Sequence, residues 1–204
     1  MLRFDHIAVS AETLAEGVDM VEAALGMNLA GGGKHSHMAT HNRLIGMGDL
    51  YLEVIAIDPE PAVPAWPRWF DLDHFSGSPR ITNWVAGSDD LEADLRECPE
   101  GTGAPIDLQR GDFRWKMAVP PDGKLPFMGA FPALIQWIGP LHPAQALPDQ
   151  GLRLSQLEIA LPEALELQSV LSPLFQDPRV HITTGAVLGM RATFSTPHGS
   201  RVIE

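Results

Sequence analysis

A single cysteine, Cys98, stands in this chain of 204 residues. That excludes an internal disulfide framework and fits a reducing compartment. Cys98 falls in a predicted helix from Leu91 with no activating cation pattern beside it, so it reads as an inert thiol. No apolar run approaches the roughly 20 residues of a membrane span. Met1-Leu2-Arg3-Phe4-Asp5 enters a strand at once and lacks the charged-then-apolar layout of a signal peptide. The expectation is a cytoplasmic protein. Basic residues are few and scattered: 14 Lys and Arg against 26 Asp and Glu leave a formal net charge of −12, with a pI near 5.0. So acidic a chain repels phosphate backbones and anionic lipid, so nucleic-acid and membrane partners are not expected. No Gly-x-Ser-x-Gly elbow occurs, and Gly31-Gly32-Gly33-Lys34-His35 lacks the Gly-Lys-Ser/Thr arrangement and following helix of a phosphate loop.

What is present is an ordinary globular composition, 45% hydrophobic and 20% charged, with 19 Gly and 18 Pro that suit short strands better than a helical bundle. Residues 1–58 read as a strand (Arg3 to Val9), a helix capped by Ser10, a short strand (Met27 to Ala30), a Gly- and His-rich loop (Gly31 to His41), and a hairpin of Arg43 to Met47 with Leu50 to Ile57. Leu14, Val18, Val21 and Leu25 put one apolar face on that helix. Residues 79–143 repeat the order: strands at Ile81 to Ala86, Ile106 to Gln109, Phe113 to Val119 and Leu134 to Ile138, with a helix through Leu91 and Leu95. Residues 151–204 read as a third copy, with strands at Leu154 to Ala160, Val180 to Thr183, Met190 to Ser195 and Arg201 to Glu204, and a helix opening at Pro162. Three segments agreeing on one βαβββ unit carry more weight than any single motif. The expected fold is α+β, with repeated βαβββ modules forming a curved mixed sheet around a pocket.

Two residues interrupt apolar strands. His6 lies in Phe4-Asp5-His6-Ile7-Ala8-Val9 and Glu53 in Leu50-Tyr51-Leu52-Glu53-Val54-Ile55. A carboxylate amid buried strand residues is costly unless a partner or metal compensates it. An imidazole and a carboxylate facing one cavity are ligand types for a divalent metal. The plainer alternative for His6 is a core imidazole satisfied by one neighbour, while Glu53 reads as a pocket group, either ligand or general base.

The His on the first strand and Glu on the fourth, with Gly32-Gly33-Lys34-His35, Thr40-His41-Asn42-Arg43-Leu44, Phe113-Arg114-Trp115, Pro121-Asp122-Gly123, Leu125-Pro126-Phe127, Ile135-Gln136-Trp137 and His142-Pro143, resemble the vicinal oxygen chelate superfamily and its glyoxalase-like branch. That superfamily includes glyoxalase I, extradiol dioxygenases and bleomycin-resistance proteins. The resemblance implies paired modules around a shared pocket, with His6 and Glu53 on neighbouring strands. It implies a divalent metal (Zn, Ni, Mn or Fe). The further ligands would come from Gln156 and Glu204 if the first and third segments pair. The first-with-second pairing offers instead Trp84, which cannot bind metal, and Gln136, at best a weak ligand. Glu53 or Glu204 would then move a proton.

Around this pair, His35, Thr40, Asn42, Arg114, Trp115, Gln136, Trp137 and His142 are candidate substrate contacts. Of Arg114 and Trp115 only one can face the pocket, since strand side chains alternate. The third module lacks a partner sheet, and a homodimer would supply one. The leading expectation is a metal-dependent lyase, isomerase or dioxygenase-type enzyme on a small oxygenated substrate. The competing one is a non-catalytic small-molecule binder of the bleomycin-resistance type, and a third is a dimeric regulatory or structural protein without a ligand.

Overall fold

A computed structural model describes all 204 residues. Strand β1 (Arg3–Ser10) is buried at every position after Arg3, as a strand covered on both faces must be. Helix α1 (Leu14–Leu25) starts one turn later than Ser10 suggests. Thr13 is its N-cap, accepting the Glu16 amide while its hydroxyl donates to the Glu16 carboxylate. Gly26 ends it in the left-handed region at φ 68°. Strands β2 (Ala30–His35), β3 (Thr40–Gly46) and β4 (Tyr51–Ile57) complete the first unit. The second comprises β5 (Arg80–Gly87), α2 (Leu91–Leu95), β6 (Ala104–Arg110), β7 (Phe113–Val119) and β8 (Ala133–Trp137).

These eight strands form one sheet in the order β2-β3-β4-β1-β5-β8-β7-β6. In each half the first strand runs parallel to the fourth, β1 with β4 and β5 with β8, and the halves join where β1 meets β5 antiparallel. The outermost strands β2 and β6 touch. The sheet therefore curls almost upon itself, and its concave face becomes the inside of a cup.

The expected Gly/His loop at Gly31 to His41 is mostly strand. Gly31 and Gly32 adopt φ 67° and 108°, which only glycine enters freely, and pairing with β3 slips between Ala30 and Gly33. A Cβ on Gly32 would lie 2.2 Å from the Asn42 carbonyl oxygen. The glycines form a bulge in an edge strand, where bulges concentrate.

The third segment folds into β9 (Arg153–Leu161), α4 (Ala164–Leu171), β10 (Val180–Thr184), β11 (Gly189–Thr196) and β12 (Gly199–Ile203), after a single turn α3 (Pro143–Ala146). Its sheet order is β10-β9-β11-β12. The first strand here pairs with the second and third, and β11 separates it from the fourth. The elements repeat but the pairing does not. This small sheet lays Leu157, Ile159, Phe194 and Ile203 into one core with Ile7, Val9, Trp84 and Leu134 from the convex back of the large sheet, and with Val21 and Leu25 of α1. Each such side chain contributes about 1.5–3 kcal/mol by leaving water. The third segment's apolar face is thus covered within the same chain, not by the second copy its module count suggested.

The connection from β4 to β5 forms a strap over the cup. At its centre the short turn Trp69–His74 holds Phe70 (φ 59°) and Asp71 (φ 52°) in the left-handed region. The Asp71 amide donates to the Gly123 carbonyl at 2.9 Å. Trp69, Phe70 and Leu72 pack against Met38, Leu125 and the concave-face residues Trp115, Met117 and Ile135. No helix is long and apolar enough to cross a membrane.

Candidate functional site

Beneath the strap a row of buried polar groups crosses the cup floor. It begins where β1 slips against β5 between Phe4 and His6. That bulge lets the consecutive residues Asp5 and His6 reach the same side, which strict alternation forbids. Asp5 Oδ2 accepts from Trp137 Nε1 at 2.9 Å and from His142 Nε2 at 3.1 Å. Its Oδ1 accepts from His6 Nδ1 at 2.6 Å. The other His6 nitrogen, Nε2, faces Glu53 Oε2 at 3.5 Å, too far for a good hydrogen bond. Glu53 Oε1 accepts from Asn42 Nδ2 at 2.5 Å. Asn42 Nδ2 also donates to His35 Nε2 at 3.3 Å, and its Oδ1 accepts from the Gly33 amide at 2.9 Å and from Arg110 at 2.7 Å. His35 Nδ1 then donates to Thr40 Oγ1 at 3.0 Å. Every polar atom of Asn42 is committed, which fixes its orientation.

Burial sets the charges of this row against its hydrogen bonds. For His6, burial disfavours the cation, yet the hydrogen bond to Asp5 and the attraction of Asp5 and Glu53 outweigh it and raise the pKa to about 9. For Glu53, burial is likewise overridden, by His6 first and Asn42 after it, and its pKa falls to about 2. Asp5 is pulled well below the carboxylate range, burial again being outweighed, here by hydrogen bonds from His142 and His6. His35 has no carboxylate in direct contact; burial dominates and lowers it to about 4. At neutral pH the row holds an imidazolium between two carboxylates, a neutral imidazole and the Arg110 guanidinium.

His6, Glu53, His35, Trp69, Trp115 and Trp137 are among the residues that enclose a hollow of about 30 Å³. That is room for about one water-sized group. Trp69 is 4% exposed, and its Nε1 is a buried side-chain donor with no partner. Two donors on residues that line the hollow are therefore under-used: Trp69 Nε1–H, and His6 Nε2–H at its long distance from Glu53.

The structure gathers part of the sequence-derived set. His6, Glu53, His35, Asn42, Trp115 and Trp137 line the hollow. Thr40 supports His35, and His142 sits at the rim on Asp5. Arg114 points away and is exposed, bonded to the Asp112 carbonyl. Gln136 also faces outward, accepting from the Leu91 amide and donating to the Asp89 carbonyl. Trp84 lies in the convex-side core with Nε1 on the Ala130 carbonyl. On β5 and β8 it is Val85 and Ile135 that face the cup, in place of Trp84 and Gln136. Gln156 belongs to the small sheet behind the cup, and Glu204, just past its last strand, is exposed beside Arg191 at 3.4 Å. Sequence reasoning missed Asp5, Arg110 and Trp69. For Asp5 an acid next to a strand histidine was the available signal; Arg110 and Trp69 come from remote elements and left none.

A divalent metal does not fit these residues. His6 has a carboxylate beside each ring nitrogen, and its Nδ1 is already bonded to Asp5. Glu53 is itself held by Asn42, Val85 and Ile135 opposite are apolar, and no cluster of three or more His, Cys, Asp or Glu exists that could hold an ion. The expected set of His6, Glu53, Gln156 and Glu204 is not assembled, because the first segment pairs with the second and not the third.

A family model described as a glyoxalase-like domain matches residues 4–175. No curated protein sequence matches the chain. Among solved structures, a hypothetical protein from Staphylococcus aureus is 14% identical, with a TM-score of 0.61 over 92% of this chain and 88% of that one. A Streptomyces coelicolor methylmalonyl-CoA epimerase variant with 2-nitronate-propionyl-CoA is 16% identical over 67% of this chain and 98% of that one, TM-score 0.45. The Mycobacterium tuberculosis methylmalonyl-CoA epimerase is 18% identical over 71% and 91%, TM-score 0.44. At these identities the Staphylococcus likeness is one of fold.

Proposed function

Because the chain belongs to the glyoxalase-like domain family of the vicinal oxygen chelate superfamily, we propose that its cup is a small-molecule site that works without a metal. The molecule offers one oxygen, of the carbonyl or hydroxyl kind, to the hollow. His6 Nε2–H and Trp69 Nε1–H donate to that oxygen, and Trp115, Trp137 and Tyr51 form its aromatic walls. The observation that carries this reading is the pairing of two under-used N–H donors with a hollow of one-group size. An unmet buried donor costs about 1–3 kcal/mol, and an entering oxygen recovers it. The charged row beside it is close to neutral overall, which favours an uncharged acceptor. Binding of this kind needs no chemical step.

A second reading rests on a different observation. His142 and Asp5 border an open surface cleft on one side, and Asp5, His6 and Glu53 continue inward from it. Such a row can carry a proton between solvent and a bound molecule, with Glu53 as the acceptor, and would make the protein a metal-independent isomerase.

The test is a panel of small ketones, aldehydes, alcohols and carboxylic acids read by the indole N–H resonances. The Trp69 resonance is expected to shift with neutral carbonyl or hydroxyl compounds, and a Trp69→Phe variant should bind them about tenfold more weakly, a loss of roughly 1.4 kcal/mol. Purified protein should hold no stoichiometric Zn, Ni, Mn or Fe. One equivalent of metal, lost in Glu53→Ala, would overturn the metal-free reading; proton exchange at carbon in a bound ketone, lost in Glu53→Gln, would select the isomerase.

A further inference from the structure

Where the two sheets meet, a cleft of about 710 Å³ lies outside the cup. Its size is that of a small-molecule site, roughly 300–1,000 Å³. One wall is the strap turn with Phe70, another the start of β5 with Arg80 and Ile81. The others are the turn from Lys124 to Gly129 and the start of β11 with Met190. Phe70 lines both this cleft and the hollow.

The two flanking turns are strained. Five residues other than glycine have positive φ in the whole chain, and four sit on these turns: Phe70, Asp71, Phe127 and Met128. Backbone strain of this kind gathers at ligand clamps and active sites. Met128 is 61% exposed, an apolar side chain held at the cleft on a left-handed backbone.

The charges are unevenly matched. Asp71 accepts from His74 at 2.6 Å, and Glu204 lies on Arg191 at 3.4 Å. The two cations lining the cleft have no carboxylate. Arg80 gives Nη1 to the carbonyls of Ser76 and Ser78 and lies over the Phe75 ring at 4.4 Å. Lys124 is exposed, and it is its backbone amide, not its ammonium, that donates to Asp122. In a chain with 26 acids and 14 bases, two cations without acidic partners, in a cleft whose own carboxylates Asp71 and Glu204 face other groups, leave a place for an anion brought from outside.

We infer that this cleft binds an amphipathic monocarboxylate, with the carboxylate on Arg80 and Lys124 and the apolar body against Ile81, Leu125, Leu188 and Met190. The inference stands apart from the reading of the hollow, since Phe70 is the one lining residue the two share.

Octanoate is the probe, titrated calorimetrically beside octanol and octylamine. Saturable one-to-one binding of octanoate is expected, with octanol and octylamine at least tenfold weaker. Lys124→Gln and Arg80→Gln should each weaken octanoate about tenfold. No saturable octanoate binding, equal affinity for octanol, or unchanged affinity in Lys124→Gln overturns the proposal. Arg80 also ties the strap, so if Arg80→Gln unfolds, Lys124→Gln on its exposed turn decides. Trp69→Phe should leave octanoate binding unchanged, which separates a failure here from a failure of the reading of the hollow.

Discussion

At His6 two carboxylates outweigh burial, and the sign of the resulting pH dependence follows. Its folded pKa of about 9 exceeds the ordinary 6.5. Its stabilisation is complete below pH 6.5 and is lost as pH rises through about 9. Glu53 is displaced the other way, from 4.5 to about 2. Its contribution is present above pH 4.5 and is lost as pH falls through about 2. Urea midpoints should therefore decline steadily between pH 6.5 and 9.5. His6→Gln should remove that alkaline decline and cost about 3–5 kcal/mol, because it leaves Asp5 and Glu53 buried without their cation. A Glu53→Gln variant should lower the pH at which His6 titrates, read from the imidazole proton resonances. A flat alkaline profile in the parent protein would contradict the ion-paired imidazolium.

Among the elements, two glycines hold the frame of the site. Gly123 takes φ 76°, and a Cβ there would meet the Arg68 carbonyl oxygen at 2.1 Å. Gly123 also accepts the Asp71 amide that docks the strap. Gly123→Ala should cost about 1–3 kcal/mol and lift the strap, red-shifting tryptophan emission as Trp69 meets water. Gly32→Ala should be comparably destabilising by pushing β2 off Asn42. Strand existence was legible from the sequence because apolar and β-branched residues cluster in Phe4 to Val9, Leu50 to Ile57 and Phe113 to Val119. What hid was irregularity. Three glycines look like a loop although they bulge a strand. The bulge at Asp5 breaks the alternation on β1, and on β5 it is Val85, where the resemblance pointed to Trp84, that packs on the cup side. Alternation correctly allowed only one of Arg114 and Trp115 inside, and it is Trp115. The strap was opaque because its position depends on a carbonyl at Gly123, far along the chain.

For the whole molecule, the shared core between the convex face and the small sheet ties residues 1–143 to residues 151–204. Phe175 meets Trp84 edge-on at 4.9 Å, and the Leu2 amide donates to Leu174 at 2.9 Å. Calorimetry should show one unfolding transition in which both sheets melt together, with the calorimetric and van't Hoff enthalpies equal. Residues 1–150 alone should expose the back of the large sheet and aggregate; a soluble, cooperatively melting fragment would refute the shared core.

The near-closure of the large sheet reaches beyond the cup. Outermost strands normally offer a ladder of vacant amides and carbonyls on which a foreign chain can zip up. Here the two outermost strands shield one another, and the glycine kink in one of them spoils the flat template that fibril growth requires.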